Sequence, residues 1–246
     1  MRKTVTVAFQ AAAMLVALAA CNAGSPTGPT PARGAPRVTH RIGVTTVLAF
    51  GDSITLGLFS PAPNSTMSLG PWTSYPARLQ VLLSARYQGQ TIVVQNGGAA
   101  GERAAVAADR LSRWLRAANP NVVILLDGVN DIVASGAVGG LAALTALRSM
   151  ADEVKASGGS VILCTLLPQR VGGIRAADPF VVAAFNELVR ELAREEGVRL
   201  VDLARELDVS LIGFDGLHPT EAGYVRMANV IFAALRELFE QPPWLH

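Results

Sequence analysis

A chain of 246 residues, half of them hydrophobic, is long enough for one domain with a sizeable core. Its 21 basic and 19 acidic residues nearly cancel, no basic stripe stands out, and only 6% of residues are aromatic, which argues against a nucleic-acid surface built on phosphate contacts and base stacking. Two cysteines, Cys21 and Cys164, and three histidines, His40, His218 and His246, are too few and too scattered for a disulfide framework or a zinc site.

The chain opens on Met1-Arg2-Lys3 and an apolar run over residues 5–20, broken only by Thr6 and Gln10. That run is short for a membrane span, which needs about 20 apolar residues, and reads as a secretory signal peptide over residues 1–20. It ends Leu18-Ala19-Ala20-Cys21. Small residues before a cysteine resemble the bacterial lipobox, whose cysteine is lipidated and becomes the mature N-terminus; the plainer reading is an ordinary cleavage site. The lipobox implies an exported lipoprotein, periplasm-facing or at the cell surface, anchored to a membrane through Cys21. Residues 21–43 hold Pro26, Pro29, Pro31 and Pro36 among Gly, Ser and Thr and are expected to be a flexible spacer. Loss of the signal removes Arg2 and Lys3 and no acid, leaving 19 basic against 19 acidic residues. One domain is expected over residues 44–246.

Within it, five short β-type runs, residues 46–50, 91–95, 122–126, 160–166 and 198–201, alternate with helical stretches at 74–86, 103–118, 141–157, 179–196 and 220–239. Runs such as Val122-Val123-Ile124-Leu125-Leu126 are continuously apolar, as a parallel strand covered on both faces should be. Cys164 falls in one of them and reads as a small buried hydrophobe. The alternation predicts an α/β sandwich around a five-stranded parallel sheet, in which ligands bind beyond the carboxyl ends of the strands.

The residues with chemistry to offer fall there. Ser53 follows the first strand, the 96–101 run Asn-Gly-Gly-Ala-Ala-Gly the second, Gly128-Val129-Asn130-Asp131 the third, and Asp215 and His218 the fifth. A serine hydroxyl is a weak nucleophile until a base takes its proton, and the base works best when a third group orients it. His40 lies in the Pro/Gly-rich lead-in and His246 ends the chain, so an imidazole base would be His218. Asp215, three residues earlier, can meet one ring nitrogen while the other faces Ser53. The bland readings are a turn serine, a loop histidine at a helix entrance, a solvated turn acid, a positive-φ glycine at Gly98 and a cap residue at Asn130.

The four blocks, Gly51-Asp52-Ser53-Ile54-Thr55, the 96–101 run, Gly128-Val129-Asn130-Asp131 and Asp215-Gly216-Leu217-His218-Pro219, resemble in content and order those of the SGNH/GDSL hydrolases, a family of lipases, esterases, thioesterases and carbohydrate esterases. The resemblance implies a flavodoxin-like three-layer α/β/α fold and a serine esterase without metal or organic cofactor. Ser53 would be the nucleophile, His218 the general base and Asp215 its orienting acid. An oxyanion hole would come from the backbone N–H groups of Ser53 and Gly98 and the side-chain amide of Asn130. Asp52 would support its loop, Asp131 would fix the loop presenting Asn130, and Asp127 is given no role. The expected partner is a small-molecule ester, lipid or acylated sugar. Carbohydrate deacetylation, lysophospholipid or thioester hydrolysis, and a non-catalytic glycan- or lipid-binding lipoprotein remain alternatives. The 58–72 and 168–178 loops should shape the pocket, with Phe59, Met67, Leu69 and Trp72 either touching substrate or packing the loop onto the core.

Overall fold

The computed structural model describes residues 38–63, 65–68 and 73–245. The expected signal peptide, Cys21, most of the expected spacer, Leu69, Trp72 and His246 lie outside the described residues. The chain runs β1 (Val38–Ile42), β2 (Thr46–Gly51), α1 (Ser53–Leu56), β3 (Leu58–Phe59), β4 (Met67–Ser68), α2 (Tyr75–Arg86), β5 (Val93–Gly98), α3 (Ala104–Ala118), β6 (Val122–Leu126) and α4 (Val129–Ala156). It continues through β7 (Ser160–Cys164), α5 (Pro179–Glu195), β8 (Arg199–Val201), α6 (Leu203–Glu206), a 3-10 turn at Val209–Leu211, α7 (Glu221–Phe239) and β9 (Glu240–Leu245).

The main sheet is parallel with strand order β5-β2-β6-β7-β8, which is the flavodoxin-like order. Right-handed crossovers place α2 on one face and α3, α4 and α5 on the other; the last helix, α7, packs on α2, and α4 packs on both α3 and α5. β6 is buried along its whole length, which is why its sequence is uninterrupted Val, Ile and Leu. Cys164 is buried at the end of β7 as a free thiol. The helices begin where local chemistry starts them. Pro179 opens α5 behind Asp178, whose carboxylate accepts the N–H groups of Phe180 and Val181, and Thr220 caps α7 by accepting from Gly223.

Three features depart from the sequence pattern. The end of the presumed spacer is β1, paired antiparallel with β9. Glu240 at the start of β9 anchors this ribbon by accepting from Arg86, Arg236 and Tyr87. Helix α4 begins twelve residues before the expected 141, because its first half is rich in glycine and small residues and reads as loop. Ser135 and Gly136 leave helical geometry and kink it. Beyond the kink, a Cβ on Gly139 would stand 1.9 Å from the Asp131 carbonyl oxygen, so only glycine lets the two halves nest. The 58–72 loop carries the small β3–β4 hairpin.

Candidate active site

Strand β2 ends at Gly51, and Asp52 turns the chain into α1, accepting the Ile54 N–H at 2.8 Å. Ser53 is therefore the first helical residue, where backbone N–H groups lack intrahelical partners. Its Oγ lies 2.8 Å from Nε2 of His218, and Nδ1 of His218 lies 2.6 Å from Oδ2 of Asp215. All three side chains are buried. The other oxygen of Asp215 accepts the backbone N–H groups of Leu217 and His218, folding the short turn back on itself. Burial raises the Asp215 pKa, but the hydrogen bonds from the His218 ring and from these two backbone groups outweigh it and hold the carboxyl below its ordinary value.

Both long loops brace this turn. Ser60 Oγ accepts the Asp215 N–H, and Tyr224 Oη donates to the Leu58 carbonyl. Phe59 packs against the core, so of its two readings it is an anchor; the side chain of Met67 lies outside the description. From the 168–178 loop, Arg170 N–H donates to the Gly216 carbonyl and Arg175 N–H to that of Asp215.

Of the three expected oxyanion donors, Gly98 N–H and the Asn130 amide are engaged elsewhere. Gly98 N–H donates to the Asn96 side chain at 2.9 Å. Asn130 Nδ2 donates to the Glu102 carbonyl at 2.9 Å and more weakly to Asp52 Oδ2 at 3.3 Å. Gly98 does not have a positive φ. It is glycine because a Cβ there would stand 2.1 Å from the Leu56 backbone nitrogen.

Three aspartates crowd behind this rim. Asp131 accepts the Ala104 and Ala105 N–H groups and so caps α3 from α4. Burial pushes the Asp52 carboxyl up to about 6, against the Ile54 N–H and the His218 charge. Gly51 and Leu126 are register partners, so Asp52 and Asp127 follow on adjacent strand ends. Asp127 accepts its neighbour's Gly128 N–H through one oxygen, while the other is buried without a partner. Burial, then the Asp52 charge, holds it well above the usual carboxylate range.

Arg110 escaped the sequence reading. From α3 its guanidinium donates to the Gly51 carbonyl at 3.0 Å, to the Gly97 carbonyl and to Glu102, and it lies 4.0 Å over the Phe50 ring. It staples together the ends of the two strands that lead to Ser53 and Gly98. One arginine on an amphipathic helix gives no local signal of this; Ser60 and Asn96 are equally silent.

Residues 49–226 match the model of the GDSL-like lipase/acylhydrolase family. The chain is 24% identical over 226 residues to a multidomain esterase of Ruminococcus flavefaciens, covering 79% of this chain and 29% of that protein, so it spans less than a third of that relative. Among solved structures it is similar to the lipase/acylhydrolase of Enterococcus faecalis, with TM-score 0.62 and 20% identity over 79% of this chain and 97% of that one. It is also similar to an acetylxylan esterase of Geobacillus stearothermophilus, with TM-score 0.61 and 23% identity over 78% of this chain and 94% of that one. At these identities the solved structures establish the shared fold.

Proposed function

This chain belongs to the GDSL-like lipase/acylhydrolase family, and on that premise we propose that it is a serine esterase working through an acyl-enzyme. The observation that carries the reading is the unbroken line Ser53 Oγ, His218 Nε2, His218 Nδ1 and Asp215 Oδ2, with links of 2.8 and 2.6 Å. His218 takes the Ser53 proton as Oγ attacks the ester carbonyl, then gives it to the departing alkoxide. Asp215 fixes the ring orientation and stabilises its charged form. Water, deprotonated by the same imidazole, attacks the acyl-serine, and the carboxylic acid leaves as Ser53 regains its proton.

The tetrahedral oxyanion is received by the N–H groups of Ser53 and Gly98 and by Asn130 Nδ2. For Asn130 the long contact to Asp52 is the one exchanged for the oxyanion, while the Glu102 carbonyl keeps the amide in place; at Gly98 the substrate competes with the Asn96 side chain. Donors fixed beforehand in a buried site contribute about 10²–10³ each in rate.

Export and lipid attachment at Cys21 complete the proposal and place the enzyme on a membrane facing the periplasm or cell exterior. One structural neighbour acts on acetylxylan by its name, and acetylated sugars, lysophospholipids and thioesters are served by the same chemistry. Ser53→Ala and His218→Ala should each abolish hydrolysis of p-nitrophenyl acetate while the far-ultraviolet circular dichroism stays unchanged. Full activity in either variant defeats the assignment.

A further inference from the structure

An apolar, uncharged stretch follows the Asn130 block along α4. The stretch from Ile132 to Leu147 contains no charged residue, yet it leaves Val133, Val138 (75% exposed) and Leu141 in solvent. Phe180, on the first turn of α5, is 85% exposed, and Ile174 and Phe214 are also exposed. Between α4 and α5 lies an open groove of about 340 Å³, walled by Leu141, Phe180 and Leu188 and floored by Phe185.

These residues come from elements that start at the carboxyl end of the sheet, on the side of the triad. Phe214 precedes Asp215. Ile174 sits on the loop whose Arg175 N–H holds the Asp215 carbonyl. The Phe185 ring approaches Gly128 so closely that a Cβ there would be 3.0 Å away, two residues before Asn130. Exposed charges close in sequence to Ile174, Phe180 and Leu188 include Arg175, Asp178, Glu187 and Glu191. Exposed apolar surface gathered in one place marks an interaction site.

We propose that this surface docks onto a lipid bilayer, inserting Val138, Leu141, Phe180 and Ile174 among the acyl chains. The proposal rests on the esterase reading in that Phe214 and the Ile174 loop adjoin the Asp215 turn. One observation favours lipid over protein, the chemistry ahead of Val38: the 5–20 apolar run and Cys21 precede a stretch that spans on the order of 55 Å when extended, more than the roughly 40 Å width of a domain of this size. That is enough chain for any face of the domain to meet the membrane that would hold Cys21.

The test is amide hydrogen exchange on the full chain carrying Ser53→Ala, with and without vesicles of phosphatidylcholine and phosphatidylglycerol. Exchange over residues 133–141 and 171–181 should slow when vesicles are added. The triple substitution Val138→Ser, Leu141→Ser, Phe180→Ser should remove that protection, at roughly tenfold in partitioning for each side chain lost. Protection that vesicles do not change, or that survives the triple substitution, overturns the proposal. So does slowing that follows protein concentration without vesicles, which would mean a second copy on this face. Wild-type turnover of soluble p-nitrophenyl acetate, measured in parallel, reports on the esterase reading separately.

Discussion

Replacing Gly98 with alanine isolates the steric half of the account. A Cβ at this position would stand 2.1 Å from the Leu56 nitrogen, 2.6 Å from its Cα and 2.7 Å from the Thr55 carbonyl carbon. All three are backbone atoms of α1, so no side chain can swing away. To reach even 3.0 Å, below which real contacts essentially do not occur, the α1 backbone or the end of β5 must move by about 1 Å. Ser53 begins α1, and Gly98 is itself an expected oxyanion donor, so either movement misaligns the reacting groups. A displacement of that size costs about 10²-fold in kcat, or ~2.7 kcal/mol of transition-state stabilisation, alongside about 1–3 kcal/mol of folding stability from overpacking. Steady-state kinetics on p-nitrophenyl acetate, with urea denaturation of the same samples, reads both quantities. Gly97→Ala is the control: its Cβ would meet Leu48 Cδ1 at 3.0 Å and the Ala49 carbonyl oxygen at 3.1 Å, which β5 and β2 can relieve by a few tenths of an ångström without moving α1. If Gly98→Ala keeps kcat within threefold of wild type, or Gly97→Ala loses as much, the packing argument is wrong.

Arg110→Met should lower kcat about tenfold and stability by about 2 kcal/mol in urea denaturation, because the Gly51 and Gly97 carbonyls lose a shared charged donor; Arg110→Lys should not restore activity, since one ammonium lacks the fork that spans both strands. Asp127→Asn should stabilise the fold in a pH-dependent way. The folded pKa of Asp127 is raised, so the native state binds this proton more tightly than the unfolded chain, and that stabilisation is complete below about pH 4 and fades as pH rises toward the folded value. The thermal midpoint of Asp127→Asn should therefore exceed wild type at pH 8, with the difference closing toward pH 4; equal differences at both would refute the buried-proton reading.

The parts of this molecule written in local chemistry were legible. Val122–Leu126 announces a central strand because both its faces are covered, and the candidates stood out in short motifs, Ser53 after the first sheet strand and Asp215 with His218 after the last. What was hidden depends on distant partners. The β1–β9 ribbon joins segments at opposite ends of the domain, so the proline-rich lead-in gave no hint that Val38–Ile42 would pair with Glu240–Leu245. The first half of α4 was masked by Gly136, Gly139 and Gly140, which serve a kink and a close approach rather than a loop. Gly98 was read as an oxyanion donor or a positive-φ turn glycine; that the Leu56 backbone leaves no room for a side chain is visible only in the fold. That Gly98 and Asn130 spend their donors on Asn96, Glu102 and Asp52 follows from side-chain geometry that no spacing encodes.

The central claim is that Ser53 is made nucleophilic by His218. The direct measurement is labelling of the full chain with a fluorophosphonate, followed by peptide mass spectrometry. The account predicts a single phosphonyl adduct on Ser53 in wild type and its loss in His218→Ala. An adduct on another residue, or undiminished labelling of Ser53 without His218, would contradict it.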